Sequence, residues 1–321
     1  MSMKKLRPLF LAVILLTVCF SLWYNEYSGG RKYEGTEFLF DTECSITAYG
    51  KNAKTAVAAA FDRLAEINAA TDMYREGSDV HRINSAAANT EIKVSAATAE
   101  ILSVAQQIAA ETDGAFDVTI APVTELWDFK SENPVPPAAA DIKNALKRVG
   151  YAALNVDHEK CSVTKSDGGV KIDLGGAAKG YAGDEALRVM RECGVNTAIA
   201  DLGGNVTCMG KNPNSRDGKW RIGIQIPFAP TGEYGKIAET DGGAVVTSGT
   251  YQRNFKYKGK LYHHIIDTKT GYPVNQNYSG VTISGKNACV ADCLATACFV
   301  LGEEKGRTLA EKHGAEIFFV K

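Results

Sequence analysis

A predicted strand, a glycine turn and a helix start follow one another directly within residues 173–184. The strand is predicted over 170–174, Gly175-Gly176 end it, and a helix is predicted over 177–193. Glycines let a backbone come close to a ligand, and the free N–H groups at a helix start favour phosphate oxygens. Lys179 adds a positive charge one turn into the helix. The segment therefore indicates a phosphate site, although neither a Walker A nor a Gly-x-Gly-x-x-Gly spacing is present; the alternative is an ordinary tight turn beside a solvated lysine.

The remaining apolar patterns mix strands and helices without a repeat of fixed period. Residues 38–49 alternate apolar and polar and predict a strand, whereas 53–74 carry apolar residues at helical spacing. Further helices are predicted at 96–112, 138–149, 287–301 and 304–313, and further strands at 197–201, 220–226, 244–248, 278–284 and 317–320. This mixture predicts an α+β fold, and 321 residues, 45% of them hydrophobic, suffice for a sizeable core.

The N-terminus has the pattern of an export signal or membrane anchor. Lys4, Lys5 and Arg7 precede an uncharged, largely apolar stretch over 8–25. We expect residues 1–27 to be an uncleaved anchor, 28–35 a linker and 36–321 a folded domain outside the cytoplasm, with lipidation at Cys19 as the alternative. The formal net charge is −1 and no basic run follows the N-terminus, so the chain shows no footprint for nucleic acid.

Asp292 and Thr296 are four residues apart in a predicted helix, so both side chains face the same side. A carboxylate and a hydroxyl on one face suit Mg²⁺, which prefers oxygen ligands. The alternative is an aspartate that caps the start of the helix.

The seven cysteines after Cys19 show no Cys-x-x-Cys and no zinc spacing, and we expect buried thiols. Ser248 lacks the Gly-x-Ser-x-Gly context, which argues against a serine hydrolase. His264 and Asp267 place polar groups at the end of a predicted strand.

Several segments, in this order, resemble the ApbE family of flavin transferases. They are Tyr74-Arg75 with Ser78 and Ile83-Asn84, Gly114 to Asp117, Trp127 to Phe129, Asp173 to Gly180, Leu202 to Asn205, Thr247 to Gly249 with Tyr251, His264 to Asp267, and Ala291 to Thr296. The resemblance covers about residues 36–302. Each motif is weak alone, and their combination is specific.

The resemblance implies an α+β T-fold with a mixed or antiparallel sheet, flanking helices, and FAD in a cleft. It implies transfer of FMN from FAD to a threonine or serine hydroxyl of a partner flavoprotein, with release of AMP. Acceptors in the family are subunits of quinone reductases or exported redox proteins. Two further hypotheses stay open: a Mg²⁺-dependent FAD pyrophosphatase, and a flavin-binding membrane protein without catalysis.

Position by position, the resemblance assigns roles to particular residues. The metal would be held by Asp292, Thr296 and the backbone carbonyl of Gly176. The flavin nucleotide would contact Tyr74, Ala115, Phe116, Asp117, Asp173, Lys179 and Ile266. The candidates that assist the hydroxyl are His264, Asp267 and Asp292, and the sequence does not choose among them. The chain departs from the family pattern at Thr268, where proline is usual, and at Phe40-Asp41, where Met-Gly is common.

Overall fold

The computed structural model describes residues 32–230 and 232–321, and the predicted anchor over 1–27 lies outside them. Its strands form one large and three small antiparallel sheets. The large sheet consists, in spatial order, of β1 (Lys32–Leu39), β2 (Thr42–Tyr49), β6 (Thr197–Leu202), β7 (Asn205–Met209), β10 (Gly243–Gly249), β13 (Gly280–Gly285) and β14 (Glu316–Val320). The small sheets are β3 (Ile92–Lys93), β5 (Ser162–Lys165) and β4 (Leu154–Asp157); β8 (Trp220–Gln225) and β9 (Tyr234–Thr240); and β11 (Asn254–Tyr257) and β12 (Lys260–His263).

The longer helices lie where the apolar periodicity of the sequence predicts them. The helices of the described residues, in chain order, are α1 (Ala53–Thr71), α2 (Asp79–Ser85), α3 (Ala96–Glu111), α4 (Ala121–Trp127), α5 (Ala139–Leu146), α6 (Ala178–Glu192), α7 (Ala288–Leu301) and α8 (Glu303–Lys312). None of the helices in the described ranges is long and apolar enough to cross a membrane. The antiparallel sheets and the helices that accompany them confirm the predicted α+β class.

Strand β10 shows how both faces of the large sheet are covered. Val246 lies in the main core, where α7 packs on β10 and β13 and against α6. Successive strand residues point to opposite faces. Val245 accordingly joins a separate cluster with Ile224 and Ala238 of the β8–β9 hairpin. The helices thus cover one face of β10, and the hairpin covers the other.

The single strand predicted over 38–49 is wrong, because the chain turns back at Phe40-Asp41. Both residues have left-handed backbone conformations, with φ of 53° and 59°, and Leu39 pairs directly with Thr42. Two-residue hairpins of this kind usually contain glycine or asparagine. Neither is present, and Asp41 is the one turn residue that tolerates this conformation well, so the turn signal in the sequence is weak. Strand β1 also begins at Lys32, within the stretch expected to be a linker.

The strand predicted over 170–174 is also wrong. Its one ladder contact is an isolated parallel bridge between Lys171 and Ile120. The side-chain amide of Asn84 occupies both backbone groups of Ile172, accepting from its N–H at 2.7 Å and donating to its carbonyl at 3.0 Å. An extended segment is present, but a side chain satisfies backbone groups that a neighbouring strand would otherwise pair.

The cysteines of the described residues are free thiols, as expected. Five are buried and two, Cys161 and Cys193, are partly buried. Burial raises the pKa of the Cys208 thiol to about 12, which keeps it protonated and inert.

Candidate functional site

A cleft of about 690 Å³ opens beside the start of α6 and the middle of α7. Its walls come from the β1–β2 turn, the end of α1, the segment over 115–120, the turn over 173–176, the start of β7, the end of β10 and the segment over 264–268. Residues far apart in sequence therefore meet at one place. A volume in this range is typical of small-molecule sites.

Asp292 lies at the junction between α6 and α7. Its side chain is 3% exposed, and its Oδ2 accepts a hydrogen bond of 2.9 Å from the Gly180 N–H. A Cβ at Gly180 would lie 2.2 Å from the Ala288 carbonyl oxygen and 2.8 Å from the Asp292 Cβ. Glycine at 180 therefore permits the close approach of two helices, rather than of backbone and ligand, and that approach holds Asp292 in the cleft wall.

The three residues predicted to hold a metal line the same cleft. Asp292 and Thr296 are one turn apart on α7, and both line the cleft with Gly176. A Cβ at Gly176 would lie 3.5 Å from the Thr296 Oγ1, which shows how closely these residues approach. Ser248 at the end of β10 places its Oγ 3.0 Å from the same Thr296 oxygen.

The chemistry of these donors fits a hard cation such as Mg²⁺. All the candidate ligand atoms are oxygens, and only one of them is a carboxylate. Within residues 32–230 and 232–321 no group of three or more His, Cys, Asp or Glu is arranged to hold a metal. Mg²⁺ is commonly bound through one or two carboxylates, with substrate phosphates and water completing its shell. A site of this composition suits an ion that binds together with a phosphorylated ligand.

Lys179 stands in the first turn of α6, facing the same cleft. Its Nζ lies 3.4 Å from the Gly175 carbonyl oxygen, and the Asp173 carboxylate closes the turn by accepting from the Gly175 N–H at 2.8 Å. The N-cap residue Ala177 makes no side-chain cap hydrogen bond. The expected row of free N–H groups is not present, because the N–H groups of Ala177 and Ala178 donate to the Leu174 carbonyl and that of Gly180 donates to Asp292. Lys179 therefore supplies the positive charge that a phosphate site requires.

The mouth of the cleft carries an aromatic ring and charged groups. Tyr74 is 66% exposed, and the Lys130 ammonium lies 4.9 Å from the centre of its ring. Asp41 forms ion pairs with Lys130 and, at 3.5 Å, with Arg253. The hydrogen bond from Lys130 holds the pKa of the Asp41 carboxyl below its usual range. Lys130 thus lies over one face of the Tyr74 ring, and a planar ligand at the entrance can stack on an exposed face of it.

The segment from Ala115 to Asp117 forms a wall of the cleft, with its residues largely buried. The Asp117 carboxylate is occupied within the protein, because it accepts hydrogen bonds from the Thr119 N–H and hydroxyl and from the Tyr151 N–H. Burial raises the pKa of this carboxyl, and those hydrogen bonds oppose the rise. The carboxylate of Asp117 thus secures the segment internally.

The two candidates that follow β12 have different surroundings. His264 lines the cleft, and its Nδ1 lies 3.2 Å from the Arg253 carbonyl oxygen. A carbonyl only accepts, so Nδ1 carries the proton and Nε2 keeps its lone pair. Burial, followed by the positive charge of Arg253, lowers the pKa of His264 to about 3, so the ring is neutral at physiological pH.

Asp267 is not among the residues that line the cleft. Its Oδ1 accepts from the Lys269 N–H at 2.8 Å, and its own N–H donates to the Tyr272 carbonyl. These hydrogen bonds show that Asp267 stabilises a turn. Ile266 and Thr268 do line the cleft, and the Thr268 hydroxyl donates to the Gly114 carbonyl at 2.6 Å. Thr268, which stands where proline is usual, therefore joins this turn to the neighbouring wall that begins at Ala115.

The structure also brings to the cleft residues to which the sequence assigned no role, among them Lys130, Asn205, Ser248 and Arg253. Asn205 and Ser248 stand within motifs that the sequence had singled out, so a signal existed for them. Lys130 and Arg253 lie in connecting segments with no local pattern.

The sequence matches a known protein family and known relatives over most of its length. The model of the ApbE family matches residues 40–319. The FAD:protein FMN transferase of Haemophilus influenzae is 31% identical over 265 residues, which cover 80% of this chain and 75% of the relative. That of Klebsiella pneumoniae is 34% identical over 247 residues, covering 77% and 76%.

Solved structures show the same likeness. The ApbE protein of Thermotoga maritima superimposes with a TM-score of 0.82 at 33% identity, covering 90% of this chain and 94% of that chain. The flavin transferase ApbE of Vibrio cholerae gives a TM-score of 0.79 at 27% identity, covering 90% and 93%. The family match spans nearly all of the described residues, and relatives above 30% identity cover more than three quarters of the sequence; this chain belongs to the ApbE family.

Proposed function

We propose that this protein is a Mg²⁺-dependent FAD:protein FMN transferase, which attaches FMN to a threonine or serine hydroxyl of a partner flavoprotein and releases AMP. The observation that carries the proposal is the convergence of Asp292, Thr296, Lys179 and a neutral His264 on one cleft. Relatives named for this activity support it.

The reaction places specific demands on these residues. The acceptor oxygen attacks the phosphorus on the FMN side of the pyrophosphate, and the bond from that phosphorus to the AMP oxygen breaks. AMP leaves with the electron pair. Lys179 neutralises charge that develops on the phosphate oxygens. Bound Mg²⁺, held by Asp292, Thr296 and the Gly176 carbonyl, would supply further charge neutralisation.

A hydroxyl is a weak nucleophile and needs a base to take its proton. His264 is the best placed of the three candidates, because it lines the cleft and presents an unprotonated Nε2. Asp267 is engaged in its turn, and Asp292 holds Gly180. A pKa of about 3 makes a poor base, but a bound pyrophosphate adds negative charge nearby, which raises the pKa of His264 toward the working range.

The test uses the full-length protein with FAD, Mg²⁺ and an acceptor domain that contains the target threonine. The acceptor is weighed by mass spectrometry, and AMP is measured in the same sample. A mass gain of one FMN less one water, with equal AMP, supports transfer. AMP and free FMN without an adduct would instead establish a pyrophosphatase, and FAD binding without AMP would establish a non-catalytic flavin-binding protein.

We further propose that residues 1–27 tether the protein to the membrane, with the domain over 36–321 on the outer side. The support is the basic start and the uncharged stretch that follows it. Intact cells expressing the full chain are treated with a protease after permeabilisation of any outer envelope, and loss of the domain supports the proposal. Retention of membrane binding in Cys19→Ser distinguishes an anchor from a lipidated cysteine.

A further inference from the structure

Asn205 presents a buried polar atom that the protein does not satisfy. The residue is 2% exposed, and its Nδ2 lacks a hydrogen-bond partner; among the buried side-chain nitrogens and oxygens of residues 32–230 and 232–321, it is the one in that condition. Buried polar groups are almost always paired, and an exception calls for an explanation. Asn205 also lines the 690 Å³ cleft, so its missing partner can come from a ligand.

The sheet shows which part of the cleft Asn205 faces. It is the first residue of β7 and pairs with Val246 of β10, whose side chain lies in the core beneath the helices. Two residues along β7, the Thr207 hydroxyl contacts the Gly183 carbonyl of α6 at 3.4 Å. Alternate residues of a strand share a face. Asn205 therefore points toward the helices, at the end of β7 that borders the cleft.

Most of the side chains that border the same space are polar or charged, and the Phe116 ring lies beside them. Ser248, two residues after Val246 on β10, contacts Thr296, and Asp292 lies one turn before Thr296 on α7. Lys179 approaches from the start of α6. The aromatic Tyr74 stands instead at the mouth. A neutral amide donor in this position is suited to a phosphate oxygen.

We propose that Asn205 is a substrate-binding residue whose side-chain amide donates a hydrogen bond to the pyrophosphate of FAD. The inference rests on the proposed function, because it takes FAD as the occupant of the cleft. Two other ligand contacts are outcomes of the test: the amide oxygen on a bound cation, and the amide on the flavin ring.

The experiment compares Asn205→Ala and Asn205→Asp with wild type in the full-length protein. Binding of FAD is measured by titration calorimetry without divalent metal, so that no turnover occurs, and riboflavin, which has no phosphate, serves as the second ligand. Asn155→Asp, on the exposed side of β4, makes the same chemical change away from the cleft. Thermal melting verifies that each variant is folded.

Loss of one hydrogen bond to a charged oxygen should weaken FAD binding about tenfold in Asn205→Ala. Asn205→Asp should weaken it further, to roughly 100-fold, because a carboxylate repels the phosphate. Riboflavin binding and the Asn155→Asp variant should stay within about twofold of wild type. Should Asn205→Asp not fold, Asn205→Ala and Asn205→Ser provide the same comparison without the added charge.

Other results overturn the inference. Unchanged FAD affinity in both Asn205 variants would show that Asn205 does not contact FAD. An equal loss of affinity for riboflavin would show that Asn205 contacts the flavin ring instead of the pyrophosphate. Tighter Mn²⁺ binding in Asn205→Asp with unchanged FAD affinity makes Asn205 a cation ligand. If wild type binds FAD neither without metal nor with added Mg²⁺, the proposed function fails; normal wild-type binding with unaffected variants refutes the role of Asn205 alone.

Discussion

The Asp292 carboxylate accepts the backbone N–H of Gly180 at 2.9 Å, and this bond joins the two helices that carry the candidate metal and phosphate groups. Gly180 lies one residue after Lys179, and Asp292 lies one turn before Thr296. The position of the candidate cation ligands relative to the candidate phosphate site at Lys179 is therefore set by the packing of α6 on α7.

Gly180→Ala should damage this packing. The added Cβ would lie 2.2 Å from a backbone oxygen of α7, so the helices must separate. Overpacking of this kind costs about 1–3 kcal/mol in the free energy of unfolding, measured by urea denaturation. Gly285→Ala is the control, because its Cβ would meet only the Ala315 side chain at 3.6 Å. Equal stability of the two variants would show that α6 and α7 are not held as described.

Asp292→Ala should abolish FMN transfer and AMP release, because a cation ligand and the bond to Gly180 are lost together. Asp267→Asn should keep most of its activity, since an asparagine oxygen still accepts from the Lys269 N–H. The activity of each variant is measured as AMP release from FAD over a range of Mg²⁺ concentrations. Full activity in Asp292→Ala refutes the metal assignment, and an inactive but folded Asp267→Asn would return Asp267 to the reaction.

His264 should make the folded protein sensitive to acid. Its folded pKa is lowered to about 3 from an ordinary value of 6.5, so the unfolded chain binds this proton first. The contribution is absent above about pH 6.5, and stability falls as the pH drops from 6.5 toward 3. His264→Gln cannot titrate, and its stability should fall less over that window. Parallel curves for the two proteins would contradict the low pKa.

Thr268→Val should loosen the link between the two walls of the cleft. The change removes the 2.6 Å hydrogen bond to the Gly114 carbonyl and keeps the shape of the side chain. A loss of about 1 kcal/mol in stability is expected, with weaker FAD binding as the Ala115 wall gains freedom. Thr308→Val, on an exposed position of α8, should change neither quantity measurably. Unaltered FAD affinity in Thr268→Val would limit the bond to a structural role.

Much of the site could be predicted because several of its residues belong to the same helix or the same turn. The four-residue spacing of Asp292 and Thr296 specifies a shared helix face wherever that helix lies. The glycine turn before Lys179 likewise marks the start of a helix that carries a positive charge in its first turn. These relationships depend on local geometry alone, and the structure places all of these residues in one cleft.

Other features depend on contacts between distant segments, and local patterns do not contain them. The turn at Phe40-Asp41 lacks glycine, so only its left-handed backbone reveals it. Asp267 follows His264 by three residues, yet its carboxylate is used in a turn while the histidine lines the cleft. The missing partner of Asn205 becomes visible only when every neighbour is in place. Spacing along the chain determined which side chains share a face of an element; packing of α6, α7 and β10 decided which faces meet, because burial and hydrogen-bond pairing are satisfied by the whole fold at once.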